Sequence, residues 1–241
     1  MNYNSICCYD YETGSANPHT CSIVQIAAEM IHSRQLRVVD KFSSYVRPDW
    51  DSEGITEDTL KFHAKNKGIT VQAFKDKLNE FPPIEVVWPQ FTAWVDKANY
   101  AKGHKNTFCA PISAGYNIIG FDNIITSRHC YEFGPTEKDK FRGENRPRLF
   151  SGVYSIDLLH HLWFWFENQK EPKNLKLTTM LEHMGVPEDT IAQAHEAAFD
   201  VEWCTKILIR LMKTQRWMTA WREEAQKRRL EFEDCFVGEF K

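Results

Sequence analysis

Apolar positions gather first in a short run, Ile6-Cys7-Cys8-Tyr9, that breaks into Asp10-Tyr11-Glu12. Such a run predicts a strand buried on both faces, here with acids at its end. Ser22 to Ile31 and Val38 to Val46 are rich in Ile and Val, and His32-Ser33-Arg34-Gln35 between them completes the pattern of a hairpin. Pro48 to Gly68 is polar and punctuated by Pro and Gly, and reads as a loop with one helical turn.

The spacing then becomes helical. Trp88, Phe91, Trp94, Val95 and Ala98 share one helical face, with Pro89 placed in the first turn. Cys109 to Tyr116 reads as a strand of small residues leading into Asn117. Phe121 to Tyr131 reads as a helix stopped by Gly134-Pro135, and residues 136–149 as a charged loop. Val153 to Ile156 is a further strand, after which Asp157 opens a helix to Phe166. The run Leu162-Trp163-Phe164-Trp165-Phe166 predicts that this helix is buried. Leu177, Met180, Leu181 and Met184 mark another helix, closed by Gly185 and Pro187, and Val201, Cys204, Ile207, Leu208 and Leu211 mark the last. Three strands followed by alternating helices and strands predict an α/β fold, a mixed central sheet of about five strands flanked by helices.

Composition narrows the partners. The 241 residues fit a single core, and 42% hydrophobic with 13% aromatic residues excludes global disorder. Thirty basic against thirty-three acidic residues leave a net charge of −3, so any contact with nucleic acid rests on local patches or metal ions. No run approaches the roughly 18 apolar residues of a membrane span. Met1-Asn2-Tyr3-Asn4-Ser5 lacks the basic start of a signal peptide. Cysteines at 7, 8, 21, 109, 130, 204 and 235 are odd in number and show no C-x-x-C spacing, which points to a reducing, cytoplasmic location.

The candidate chemistry starts at Asp10 and Glu12. Period-two alternation puts both on one face, roughly 7 Å apart along the chain. Two carboxylates that close repel unless a cation lies between them, and their hard oxygens suit Mg²⁺ or Mn²⁺. The same spacing recurs at Asp51/Glu53, in a polar loop where it reads as a solvated turn, and at Asp200/Glu202. Asp122 follows Gly115-Tyr116-Asn117-Ile118-Ile119-Gly120-Phe121 and suits either a helix N-cap or a further site acid. Near the C-terminus, His195 has Asp200 five residues on, a pairing that suits a general base with a tuned pKa.

In this order, the motifs Asp10-Tyr11-Glu12-Thr13-Gly14, Tyr116-Asn117-Ile118-Ile119-Gly120-Phe121-Asp122 and His195-x4-Asp200 resemble the DnaQ-like 3′–5′ exonucleases of the DEDDh subgroup. Their spelling is similar to that of bacterial exonuclease I, without the accessory regions that follow its catalytic domain. The resemblance spans residues 5–213, with Asp157 matching an acid that members often carry after the fifth strand. It implies an RNase H-like exonuclease domain over residues 1–213 and leaves 214–241 as a C-terminal helical extension. It further implies two metal ions, Mg²⁺ or Mn²⁺. Asp10, Glu12 and Asp200 would hold one ion, Asp10 would reach the other with Asp122 helping through water, and His195 would act as base. Thr13 and Asn117 match positions that contact the terminal nucleotide or brace the site. Tyr116 and Phe121 either line a pocket for the last base or pack in the core. Leu60-Lys61-Phe62-His63 with Gly68-Ile69-Thr70 is similar to the family's substrate-side loop, with extra residues between.

The stretch holding Lys138, Lys140, Arg142, Arg146 and Arg148 is either a solvated loop or a lip that contacts phosphates. The segment Lys206 to Arg229, with Leu211, Met212, Trp217 and Trp221, is read as packing in its first half. The function expected is a two-metal 3′–5′ exonuclease releasing nucleoside 5′-monophosphates from single-stranded or frayed DNA ends. Short RNA is the alternative substrate. A non-catalytic module binding nucleic-acid ends or a polymerase is the rival of another class.

Overall fold

A computed structural model describes residues 5–99, 110–139 and 142–218, the side chains of Trp217 and Met218 excepted. Cys109, Lys140 and the C-terminal segment from Thr219, including Trp221, lie outside the described residues. The strands are β1 (Ile6–Thr13), β2 (Ile23–His32), β3 (Arg37–Tyr45), β4 (Ile112–Gly115), β5 (Thr136–Lys138), β6 (Asn145–Pro147) and β7 (Ser155–Asp157). The helices are α1 (Glu57–Asn66), α2 (Val71–Asn79), α3 (Ile84–Ala98), α4 (Asp122–Phe133), α5 (Leu158–Phe166), α6 (Leu177–His183), α7 (Glu188–Ile191) and α8 (Ala197–Met218). The chain divides into two compact units, residues 1–205 and 206–241; the first carries the sheet and every candidate site residue.

Five strands form one mixed sheet in the order β3-β2-β1-β4-β7, the RNase H-like arrangement. β1 is antiparallel to β2 and parallel to β4, and β4 is parallel to β7. The carboxyl ends of β1, β4 and β7 therefore lie at one edge, where open α/β sheets commonly bind their ligands. Alternation sorts β1 into two faces. Cys7, Tyr9 and Tyr11 enter the main core with Trp88, Phe91 and Val95 of α3 and Ile125 and Cys130 of α4. The even-numbered residues face the other way, and the Cys8 thiol reaches the Val201 carbonyl of α8. Gly115 closes the approach of β4 to β1, since a methyl group there would lie 2.7 Å from the Tyr9 carbonyl oxygen.

Four local expectations are corrected. The polar stretch 48–68 holds α1, capped by Thr56 and buried through only Leu60, His63 and Ala64, so its apolar stripe is too thin to show in the sequence. Residues 136–149 are not wholly loop: β5 and β6 pair as a two-stranded ribbon. Pro89 is the sixth residue of α3 rather than part of its first turn. α5 is not buried. Leu158 and Leu162 alone carry its buried stripe, while Trp163, Phe164 and Trp165 face solvent.

Candidate active site

The parallel ladder between β1 and β4 ends at Cys8 and Ala114, leaving later main-chain donors of β1 without a strand partner on that side. The Asp122 carboxylate accepts the Tyr11 amide at 3.0 Å. Asp122 is thus the first residue of α4 and not its cap, which is Phe121. Asp157 does similar work beyond β4. Its carboxylate accepts from the amides of Asn117 at 2.9 Å, Ile119 at 3.1 Å and Leu159 at 3.0 Å. That grip holds the turn after β4, in which Asn117 takes a left-handed φ of 59°.

Asp10 and Glu12 project from the β1 face opposite the main core, and α8 brings Asp200 to them. One oxygen from each of the three lies within 4.8 Å of the others. Burial first, then the neighbouring acids, raise the pKa of Asp10, Glu12 and Asp200, with Asp200 pushed up to about 8. Asp122, fully buried and close enough to Asp10 to raise it, is also pushed up to about 8, chiefly by burial. Asp200 Oδ2 accepts the His195 amide at 3.3 Å, while its Oδ1 is buried with no hydrogen-bond partner. The expected His195–Asp200 pairing is therefore made by the main chain of His195. Its ring packs edge-on against Phe62 at 5.1 Å, and desolvation followed by the Lys176 charge lowers its pKa.

Two further groups stand at the site: His63, from the stretch likened to a substrate-side loop and here part of α1, and Glu196, to which the sequence alone gives no role. His63 is buried; its Nε2 lies 2.9 Å from the Thr13 carbonyl and its Nδ1 3.7 Å from Glu12 Oε2. A carbonyl only accepts, so Nε2 carries the proton and Nδ1 turns its lone pair toward Glu12. Burial lowers the His63 pKa and favours this neutral form. Glu196 anchors the segment after His195. Its Oε1 accepts from Gln25 Nε2 at 2.7 Å and from the Tyr45 hydroxyl at 2.5 Å, and its Oε2 pairs with Lys67 Nζ. Burial pushes this carboxyl up, but the hydrogen bonds from Lys67, Tyr45 and Gln25 outweigh it and leave the pKa lowered. Glu12, Gln25 and Tyr45 lie directly opposite one another across β1, β2 and β3, so Glu196 docks on a polar row of the sheet.

The remaining candidates are more dispersed. Thr13 is buried and its hydroxyl donates to the Ser15 carbonyl at 2.8 Å, bracing the chain after Glu12. The Tyr116 hydroxyl donates to the Leu175 carbonyl. Phe121 is half-buried against the main core. On the ribbon, Arg142 and Arg148 are exposed, whereas Arg146 pairs with Glu137 at 2.7 Å and Asp139 at 3.3 Å.

The exonuclease (RNase T) family model matches residues 7–124, the span that contributes Asp10, Glu12 and Asp122. The nuclease domain of 3′hExo, a DEDDh family member bound to rAMP, superposes with a TM-score of 0.57 at 18% identity, covering 88% of this chain and 93% of that one. Residues 7–124 therefore match the exonuclease family, and the fold of the chain is that of a DEDDh exonuclease. The chain is accordingly a nuclease, a hydrolase of phosphodiester bonds. E. coli exonuclease I in complex with a dT13 oligonucleotide is similar in fold, with a TM-score of 0.60 at 19% identity. That match covers 88% of this chain but only 42% of exonuclease I, so this chain spans less than half its length. A 3′-exonuclease recognising the 3′ end of a histone mRNA stem-loop gives a TM-score of 0.56 at 18% identity, covering 89% of this chain and 84% of that one. No curated protein sequence matches at a significant level. No helix among the described residues is long and apolar enough to cross a membrane.

Proposed function

We propose that the chain is a divalent-metal-dependent 3′–5′ exonuclease that removes nucleoside 5′-monophosphates from single-stranded or frayed DNA ends. The observation that carries this reading is the gathering of Asp10, Glu12 and Asp200, with an unpartnered buried oxygen on Asp200, beside His195. The donor set fits the group. Three hard carboxylates pressed together and half-buried, each with its charged form disfavoured, are the environment that a cation relieves. Asp10, Glu12 and Asp200 would hold one ion, and Asp10 would reach a second with Asp122 helping through water. Mg²⁺ or Mn²⁺ bound there supplies Lewis acidity, lowering the pKa of water and offsetting phosphate charge.

The chain's own side chains supply the rest. His195 takes a proton from the attacking water, and its lowered pKa keeps the ring unprotonated and ready to accept near neutral pH. Asp200 fixes the main chain that carries this ring. Glu196 fixes the next residue to the sheet. His63 and Thr13 brace Glu12 and the turn that follows it. The complete set of four acids and a histidine argues against a non-catalytic end-binding module. The exonuclease domain is taken to span 1–213, with 214–241 as an extension. Free, buried Cys7, Cys8, Cys21, Cys130 and Cys204 support a cytoplasmic setting.

Exonuclease I with bound DNA and the histone-mRNA 3′-exonuclease share the fold, which keeps RNA as the second substrate reading. Labelled single- and double-stranded DNA and RNA, incubated with Mg²⁺, Mn²⁺ or EDTA, separate these readings. Mononucleotide release from single-stranded DNA, lost in EDTA, is the expected result. Faster release from RNA transfers the assignment to an exoribonuclease, and full activity of verified metal-free protein removes the metal-dependent reading.

A further inference from the structure

The segment 157–176 leaves the catalytic edge and returns to it. At its start, Asp157 grips the amides of Asn117 and Ile119. At its end, the Leu175 carbonyl accepts from Tyr116, and the neighbouring Lys176 brings its charge to His195. Between these two points the segment is largely open to solvent, Leu158 and Leu162 excepted. Trp163, Phe164 and Trp165 on α5 are 53%, 73% and 54% exposed, preceded by Val153 and Tyr154 at 67% and 62%. Trp163 and Phe164 meet edge-on at 5.2 Å, and exposed aromatic surface of this kind is a candidate binding face. Exposed Lys170, Lys173 and Lys176 follow, against Glu167 and Glu171, so positive charge leads back toward the site.

We propose that α5 and residues 167–176 form the track for the single-stranded part of the substrate, with bases stacking on Trp163, Phe164 and Trp165 and phosphates running beside Lys170, Lys173 and Lys176. This rests on the exonuclease reading and deepens it. A polyanion approaching four carboxylates needs compensating cations outside the metal site, and the charge of Arg146 on the ribbon is already taken by Glu137 and Asp139. Every base has a π-face, so an aromatic track carries a strand of any sequence. A protein partner gives no reason for the lysines to lead to His195. The track predicts a substrate several nucleotides long, because a dinucleotide in the site does not reach α5.

The test compares the full-length protein with Trp163→Ala/Trp165→Ala and, separately, Lys170→Ala/Lys173→Ala, on a strand of about twelve nucleotides and on a dinucleotide. Wild type should favour the longer strand in kcat/KM. The aromatic variant should lose that preference by about 5–150-fold for each stacked base. The lysine variant, which alters no apolar group, should flatten the salt dependence of strand binding by about 0.7 in slope for each phosphate no longer neutralised. A wild-type preference that persists in both variants overturns the track. Loss of self-association in the aromatic variant with strand affinity intact also overturns it, by assigning this face to a second copy. If wild type shortens neither substrate, the failure lies with the exonuclease reading itself.

Discussion

At the scale of single residues, the proposed site rests on carboxylates held where their charged forms are unwelcome and on a histidine set beside them. Asp10, Glu12 and Asp200 differ from His195 in what their loss should do. His195→Ala should retain Mn²⁺ binding, followed by calorimetry, while losing about 10²–10⁴-fold in kcat for want of a base. Loss of Mn²⁺ binding in that variant would reassign His195 to the metal. The acids and His195 were legible because each stands in a short motif whose spacing carries its chemistry. The contacts of His63 and Glu196 were not. Their partners, Thr13 for the first and Gln25, Tyr45 and Lys67 for the second, come from segments distant in sequence that only the folded sheet assembles.

Elements divide in the same way. β1 was readable as a short apolar run breaking into acids, and β2 and β3 as Ile- and Val-bearing runs separated by a polar break. α1 was hidden by its narrow buried stripe, and α5 was misread because apolar composition implies burial only where something covers it. The connection into α8 joins these scales. His195 adopts a left-handed φ of 69°, a conformation uncommon outside glycine, and Glu196 ties the next residue to β2, β3 and Lys67. If that anchor serves to place the His195 ring, Glu196→Ala should lower kcat with little change in KM and have almost no further effect in a His195→Ala background. Equal losses in both backgrounds would show that Glu196 supports the sheet or the acids instead, and Tyr45→Phe, which removes a single hydrogen bond, repeats the comparison with less risk to folding.

For the whole molecule, the raised carboxyl groups make stability depend on pH. Asp122 and Asp200 are each held up at about 8, and Asp10 and Glu12 are raised as well, with burial the leading cause in all four. Unfolded acids titrate near about 4, so the folded, metal-free protein binds more protons than the unfolded chain between about 4 and about 8. His63, His129 and His195, whose pKa values are lowered, act in the opposite sense below about 6.5, so stability in EDTA should fall as pH rises from about 6.5 to about 8, and Mn²⁺ should restore it most at the alkaline end; thermal melts showing stability rising over that upper range in EDTA would refute the placement of these acids. The central claim is that one acidic cluster at the carboxyl edge of the sheet removes nucleotides from a 3′ end. Its most direct test is a 5′-labelled single strand incubated with Mn²⁺ and either wild type or Asp10→Asn. The account predicts a ladder of progressively shorter labelled products with wild type and an intact strand with Asp10→Asn. Immediate release of a labelled mononucleotide, or the same ladder from both proteins, would contradict it.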